Sequence, residues 1–518
     1  MFVDDIILDG EYFAITIRSP AANCRLKGIR CPPLDAAYRL IQAADIPGVN
    51  SLAGAPVPLL ADGTLRYIGE PAAIITGPDR AKLESLAGEV VVETETLPAA
   101  EGDPGAPVFS ISQARGEVLD EVMLEMESRP KTASTPKEGV ESHGEDADAE
   151  SGASPPPVVT GCYRTGIQEH WYSEPHGALA VCIDGGVKVY TATQWPWHLR
   201  ASVGAALGLP VSAVLLEEAD IGLHFDGKIW YPSLVAAHAA LAAFTTGKPV
   251  KLMLTREEDF LFSPKRPSTL IEFSTRLDTN GEPSETSVNI RAGFGAYDFF
   301  AGDMLDCIAR AASESYRLGR IRVNACAVRT NLPPASAFAG FGAAEGFFAL
   351  ERHAVKIADT VNAESVEWRG RHYNEKKVPA DALKKLIENL MGRCDYRRKW
   401  AAYELLSRRV RESGGKISPL RGIGTAAFAH RYGRARFEGE GVCFTPKTGP
   451  KQPPLAAAVV ELEIDEIDFS AKIRGIWMSV CMGTVDDKRG SRRMLLRNII
   501  CALGWTAFEK LNYNEGRI

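Results

Sequence analysis

The sequence predicts a mixed α/β and α+β protein: a small α/β section at the amino terminus, then a longer α+β region. Three observations carry that expectation. Strand-like and helix-like stretches alternate through the first hundred residues, a stretch rich in Ser, Pro, Gly and acids interrupts them, and beyond it apolar runs of strand length alternate with long helical runs. At 518 residues the chain is too long for one core, so two to four domains are expected.

The elements follow in order. "GEYFAITIR" and "AAIITG" read as strands by their apolar and β-branched content. "DRAKLESLAGEV" reads as a helix opened by Pro78-Asp79, and "VVVETETL" as the strand after it. These form the section 1–101. The stretch 102–157, with "TPKEGVESHGEDADAESGASPPP" at its centre, lacks the apolar content to pack and reads as a mobile acidic linker in which His143 is solvated. The section 158–380 begins with "GALAVCI" and "GVKVYTAT", a strand pair turning at Asp184-Gly185-Gly186. "WHLRASVGAALGL" reads as a helix and "VSAVLLEE" as a strand. "WYPSLVAAHAALAAFTTGKPVKLML" reads as helix, glycine stop and strand. Asn280-Gly281 marks a hairpin, and "GAAEGFFALERHAVKIADTV" is a long helix. The section 381–518 opens with basic helices, continues with a hairpin around "AVVELEIDEIDFSAKIRGIWMSV" and closes with a helix over "RRMLLRNIICALGWTAFEKL".

Composition narrows the function. Hydrophobic residues at 45% and charged residues at 24% are ordinary for a globular protein, and the net charge of -7 argues against a nucleic-acid surface. No long uncharged apolar run suggests a membrane span, and "MFVDDIILDGEY" carries acids where a secretion signal would be basic, so a cytoplasmic protein is expected. The ten cysteines show neither zinc nor iron–sulfur spacing, and most are expected as small buried hydrophobes. Trp195 and Trp197 in "QWPWH" are expected to pack in the core or an interface.

One stretch invites a ligand. "ADIGLHFDGKIW", residues 219–230, is a glycine-flanked turn between a strand and a helix, where α/β proteins often hold one.

Four blocks then give the chain a resemblance. "IQEHWYSEPHGALA" (167–180), "TATQWPWHLRASVGAALGLP" (191–210), "IGLHFDGKIW" (221–230) and "TNLPPASAFAGFGAAEG" (330–346) occur in that order. Together they resemble the molybdopterin-binding large subunit of the xanthine dehydrogenase / aldehyde oxidase family, in a shortened and divergent form. "RSPAANCRLKGI", "DIPGVN" and "YIGEPAAIIT" resemble that family's α/β hammerhead domain. The resemblance implies a hammerhead domain over 1–101, a first molybdopterin-binding-like domain over 158–380 and a shortened second one over 381–518. It implies hydroxylation of an aldehyde or N-heterocycle with water as the oxygen source. The cofactor would be molybdenum held by a molybdopterin dithiolene, with no protein side chain directly on the metal.

Carried over by position, the cofactor-binding residues are Gln194, Gly222, Phe225, Asp226 and Gly227, and the substrate-pocket residues are Ile229, Ala339 and Phe341. Gln194 matches a glutamine whose neutral amide can donate to an oxygen on the metal. The block around Phe225 is nearly all glycine in the family, and here Leu223, His224 and Asp226 replace small residues. Asp226 would set a carboxylate beside an anionic cofactor, which a protonated His224 would partly offset. Ile229 and Ala339 stand where xanthine-converting members carry a glutamate and an arginine, so a purine substrate is not expected. Glu345 replaces a glutamine and is expected simply to favour a helix N-terminus. His170 and His176 are expected as hydrogen-bonded structural histidines. A Met-Gly-Gln-Gly pterin contact and the family's base glutamate are not found, so the catalytic residue is left unknown. The implied partners are a second molybdopterin-binding chain, an iron–sulfur subunit and, as an optional member, an FAD subunit, together with a small-molecule substrate. The alternative is a non-catalytic structural or assembly subunit that keeps the fold without the cofactor.

Overall fold

A computed structural model describes residues 1–97, 107–112, 114, 118–128, 157–413, 420–430, 435–438, 441–444, 453–465 and 467–518. The amino-terminal section contributes strands β1 (Tyr12–Arg18), β2 (Cys24–Arg30), β3 (Arg39–Ile41), β4 (Thr64–Leu65) and β5 (Pro71–Gly77), helix α1 (Arg80–Glu89) and β6 (Val91–Thr96). Asp79 caps α1, its carboxylate accepting from the Lys82 N–H. Strands β2, β4 and β6 form a small sheet.

The next stretch holds β7 (Val118–Ser128), β8 (Val158–Thr165), β9 (Gly177–Ile183), β10 (Gly186–Thr191), α2 (Pro196–Leu207), β11 (Val214–Glu218), α3 (Tyr231–Thr246), β12 (Val250–Met253) and α4 (Arg256–Phe262). Then come β13 (Thr269–Leu277), β14 (Pro283–Gly295), α5 (Ala301–Ala311), β15 (Gly319–Arg329), α6 (Ala343–Thr360) and α7 (Ser365–His372). The last section has α8 (Ala380–Cys394), α9 (Tyr396–Ser413), β16 (Leu420–Ala429), β17 (Ala435–Glu438), β18 (Gly441–Phe444), β19 (Leu455–Ile464), β20 (Ala471–Cys481) and α10 (Lys488–Leu503).

The expected boundary near residue 101 does not separate two sheets. A seven-stranded sheet runs β11-β10-β9-β12-β1-β5-β3, with β1 parallel to β12 through Tyr12 and Val250. Strands of the amino-terminal section therefore complete a sheet begun in the section after it. Helix α3 lies on this sheet, and residues 231–243 are buried without exception. A helix so uniformly apolar has no face to offer water. Its His238 reaches into the amino-terminal section, with Nε2 2.7 Å from the Leu59 carbonyl.

The linker expectation over 102–157 also needs correction. Val118–Ser128 is a strand at one edge of a five-stranded sheet, β7-β15-β14-β13-β8, antiparallel to β15 with Leu124 opposite Val323. Leu119, Val122, Leu124 and Met126 pack on the main core. The acidic centre of the expected linker, with His143, lies outside the described residues. In the last section β16-β19-β20 form a three-stranded sheet covered by α8 and α9. One core runs through all three sections, from Ile41 through Trp230 and Phe294 to Ile387 and Val459.

The cysteine expectation is met only in part. Cys24, Cys307 and Cys394 are buried, Cys162 and Cys481 are exposed, and the others described lie between. Trp195 packs on His198 with ring centres 4.2 Å apart, while Trp197 stays partly exposed beneath Arg200.

Candidate functional site

The loop 219–230 leaves β11 and enters α3, and the segment 170–174 fixes its path. The Gly222 N–H donates to both Glu174 carboxylate oxygens at 3.1 Å, and the Leu223 N–H donates to Ser173 Oγ at 3.3 Å. Further along, the Asp226 N–H donates to His224 Nδ1 at 3.2 Å and the Gly227 N–H to the His224 carbonyl at 2.8 Å. The Lys228 N–H donates to Gln194 Oε1 at 3.0 Å, and the Gln194 N–H returns to the Lys228 carbonyl at 2.8 Å. The Gln194 side-chain Nε2 donates to Asp226 Oδ1 at 3.2 Å. The amide of Gln194 is thus engaged at both ends by the loop it faces.

Two side chains anchor this closure. Lys228 is buried, and its Nζ donates to Glu174 Oε1 at 2.7 Å and to the Glu174 carbonyl at 3.1 Å. Burial pulls the Lys228 ammonium below the usual lysine range, and Glu174 pulls it back up. The glycines have packing reasons of their own. A Cβ on Gly227 would overlap Tyr172 Oη, and one on Gly222 would overlap the Glu174 carboxylate. Phe225 and Asp226 instead carry side chains on left-handed backbone, φ 44° and 68°. Such backbone costs roughly 1–2 kcal/mol for a residue like Phe and less for Asp.

A second loop, 335–342, packs against the first. The Phe338 ring stacks on Phe225 at 5.6 Å and on His170 at 4.7 Å, and the Arg266 guanidinium lies 4.2 Å from its centre. Arg266 also sits 4.1 Å from the Trp505 ring, donates to Gln168 Oε1 at 3.1 Å and pairs with Glu345 at 2.9 Å. Glu345 does lie in the first turn of α6, as expected, but its partner is this arginine. Lys265 pairs with Glu169 at 2.6 Å, both buried. Burial raises the Glu169 carboxyl and lowers the Lys265 ammonium, each opposed by the other's charge.

The two histidines are structural, as expected. His170 Nε2 meets the Ala337 carbonyl at 2.8 Å, and burial pulls its pKa down to about 3. His176 Nδ1 lies 2.6 Å from Asp259 Oδ1. Burial lowers the His176 pKa, while the neighbouring histidine and lysines hold Asp259 low against its own burial. That describes a neutral imidazole donating Nδ1–H to a carboxylate. His224 Nδ1 accepts from the Asp226 N–H, because an N–H can only donate. The charge compensation of Asp226 expected from a protonated His224 is therefore not in place at that nitrogen.

Gln194, Gly222, Phe225, Asp226 and Gly227 thus come together in one closed loop. Of the expected substrate-pocket residues, Ile229 and Phe341 are packed in the main core, 2% and 5% exposed, and Ala339 is half-buried in the second loop. A cavity of about 30 Å3, room for roughly two waters, lies among Ile167, Lys265, Arg266, Thr330, Leu332 and Tyr513. Sequence reasoning missed Lys265, Arg266 and Phe338. The adjacent cations in "SPKRPST" were the available signal, since two neighbouring charges beside apolar elements need two partners. Among the described residues no group of three or more His, Cys, Asp or Glu side chains is arranged to hold a metal.

Comparison with known proteins shows what the chain is similar to. The molybdopterin cofactor-binding domain family matches residues 132–373. The xanthine dehydrogenase of Blastobotrys adeninivorans is 26% identical over 430 residues, covering 80% of this chain and 29% of that protein. A probable xanthine dehydrogenase subunit of Bacillus subtilis (strain 168) is 26% identical over 381 residues, covering 72% and 48%. The chain spans less than a third of the xanthine dehydrogenases it matches in Blastobotrys adeninivorans, Arabidopsis thaliana and Dictyostelium discoideum. In fold it is similar to CO dehydrogenase from Oligotropha carboxidovorans, with TM-score 0.80, 15% identity, and coverage of 100% of this chain and 85% of that one. Quinoline 2-oxidoreductase from Pseudomonas putida 86 gives TM-score 0.77 at 17% identity, with coverage of 100% and 85%.

A molybdopterin group implied by this family does not fit the loop as it is folded. An anionic group at a glycine-type loop needs free N–H donors. Here the N–H groups of Gly222, Leu223, Asp226, Gly227 and Lys228 are already bonded within the protein, and Asp226 brings a negative charge to the Gln194 amide. The blocks, the matched domain and the fold nevertheless agree: residues 132–373 match the molybdopterin cofactor-binding domain family, and the chain is similar in sequence to xanthine dehydrogenases and aldehyde oxidases.

Proposed function

We propose that this chain is one subunit of a heteromeric molybdenum hydroxylase in which a second molybdopterin-binding chain carries the chemistry. That chemistry is hydroxylation of an aldehyde or N-heterocycle with water as the oxygen source. An iron–sulfur subunit and a flavin subunit take the electrons. This chain serves the assembly as a structural subunit.

The observation that carries the reading is the surface of the last section. Helix α10 is sixteen residues long and buries none of them, and Met494, Leu496 and Ile500 on it are 65%, 51% and 67% exposed. An isolated helix gains most of its stability from covering an apolar face. The same helix carries Lys488, Arg489, Arg492, Arg493 and Arg497 and no carboxylate, which suits an acidic partner surface. The test is purification of the tagged chain from its own host, with metal and subunit analysis of what accompanies it. Molybdenum and iron accompanying the chain, and lost from Met494→Glu/Ile500→Glu protein that melts like wild type, support the reading. A wild-type chain that purifies alone and metal-free refutes it.

A second reading, in which this chain holds the cofactor once a partner completes the site, is favoured by the placement of Gln194. Its amide faces the loop and has one N–H left after the bond to Asp226. Molybdenum bound stoichiometrically to this chain after separation from its partners supports that reading against the first.

A further inference from the structure

We propose that Asp226 is a built-in substitute for an anionic ligand, and that its carboxylate occupies the side-chain donor that the loop 219–230 would otherwise offer to external oxyanions. The inference rests on the reading of the chain as a cofactor-free subunit and names the residue responsible.

The geometry is that of a ligand held from inside. Gln194 Nε2 is the side-chain donor facing the loop, and Asp226 Oδ1 takes it at 3.2 Å. The backbone holds the carboxylate there. Asp226 sits at φ 68°, its own N–H is tied to His224 Nδ1, and the next N–H, from Gly227, is tied to the His224 carbonyl. The other end of the Gln194 amide is fixed by the Lys228 N–H, and Lys228 is fixed by Glu174, which also takes the Gly222 N–H. The amide therefore cannot turn to offer its donor elsewhere without breaking the Lys228 bond. The charges about the loop include Asp226 itself, Glu174 and the buried Lys228, Asp220 paired with the amino terminus, and Arg256 bonded to the Tyr172 and Ser173 carbonyls, with His224 an acceptor at Nδ1. An incoming oxyanion would meet a carboxylate where it needs a donor.

Glycine is at home at φ 68°, so Asp226→Gly removes the carboxylate without adding backbone strain. It also frees the Gln194 donor, and Asp226→Asn removes only the charge. The probe is molybdate, titrated by tryptophan fluorescence and calorimetry into the purified full-length chain at low ionic strength. In parallel, molybdenum and acid-released pterin are measured per chain after expression in a host that loads a related molybdoenzyme. The expected result is no molybdate binding by wild type, and binding at least tenfold tighter by Asp226→Gly, with Asp226→Asn between them. Asp226→Gly/Gln194→Ala should lose the gain. Asp226→Gly protein that melts like wild type and is as empty as wild type toward both molybdate and pterin overturns the proposal, and partners that still co-purify with it leave the subunit reading standing. If Asp226→Gly does not fold, Asp226→Asn decides in the same way. A wild-type chain that carries stoichiometric molybdenum and pterin overturns the proposal together with the cofactor-free reading.

Discussion

Glu70 sets up a pH dependence that can be worked from its surroundings. It belongs to the amino-terminal section, is 1% exposed, accepts a hydrogen bond from Tyr297 Oη, and receives the backbone N–H groups of Arg66 and Tyr67. Burial raises its carboxyl from the usual 4.5 to about 7, and these donors and the Arg66 charge only partly offset the rise. The folded state therefore binds more protons than the unfolded state between those values, and stability falls as pH rises through that window. Two and a half units at about 1.4 kcal/mol each make roughly 3 kcal/mol over the whole window, of which about 2 kcal/mol falls between pH 5.5 and 8. Glu70→Gln keeps the shape, can accept both backbone N–H groups through its carbonyl, and lets Tyr297 accept from its NH2. The assay is urea unfolding of wild type and variant at pH 5.5 and 8. The difference between the two proteins is the quantity to read. Buried neutral His198, His238 and His353, each lowered to about 4 by burial, give stability that is lost as pH falls below about 6.5, the opposite sign. The variant should gain about 2 kcal/mol on wild type from pH 5.5 to pH 8. An unchanged difference, or one of opposite sign, would refute a buried Glu70 whose carboxyl is raised by burial.

Further expectations concern the closed loop and the charges beside it. Gly227→Ala puts a Cβ against Tyr172 Oη and should cost about 2–3 kcal/mol by urea unfolding; Gly222→Ala meets Ser173 Cβ as well as the Glu174 carboxylate and should cost a comparable amount. Lys228→Met leaves the Glu174 carboxylate without its 2.7 Å partner, and a loss of about 3 kcal/mol is expected. A double-mutant cycle with Glu174→Gln should recover part of that loss. Arg266→Met strands Glu345, 1% exposed at its side chain, and should cost about 3–5 kcal/mol. The Arg266→Met/Glu345→Met double variant should be more stable than the Arg266 single variant in the same thermal melts.

Much of the local architecture was legible because it is written in neighbouring residues. Alternating apolar residues and Asp184-Gly185 specify the β9–β10 hairpin, which forms with Gly186 opposite Ile183 and Gly185 at φ 74°. The apolar run over α3 and the stop at Gly247, φ 66°, sit within one window of sequence. β7 carried the same kind of signal, with Val122, Leu124 and Met126 alternating with exposed Met123, Glu125 and Glu127. It was missed because averaging over 102–157 hid a period of two beneath an acidic, Pro-rich composition.

The sequence by itself determined the elements, the order of the family blocks, and the residue types at the ligand loop, because each of these depends on contacts within a few turns of chain. Only the tertiary structure decided what those residues do. Gln194 and Asp226 are 32 positions apart, Lys265 and Glu169 are 96 apart, and Arg266 and Glu345 are 79 apart. β1 and β12 are neighbours although more than two hundred residues separate them. A donor or a charge in the sequence does not name its partner. The fold supplies the partner, because a buried polar group is costly unless one lies within hydrogen-bond reach. Here that requirement turned an open-looking glycine loop into one whose facing side-chain donor is taken by its own carboxylate.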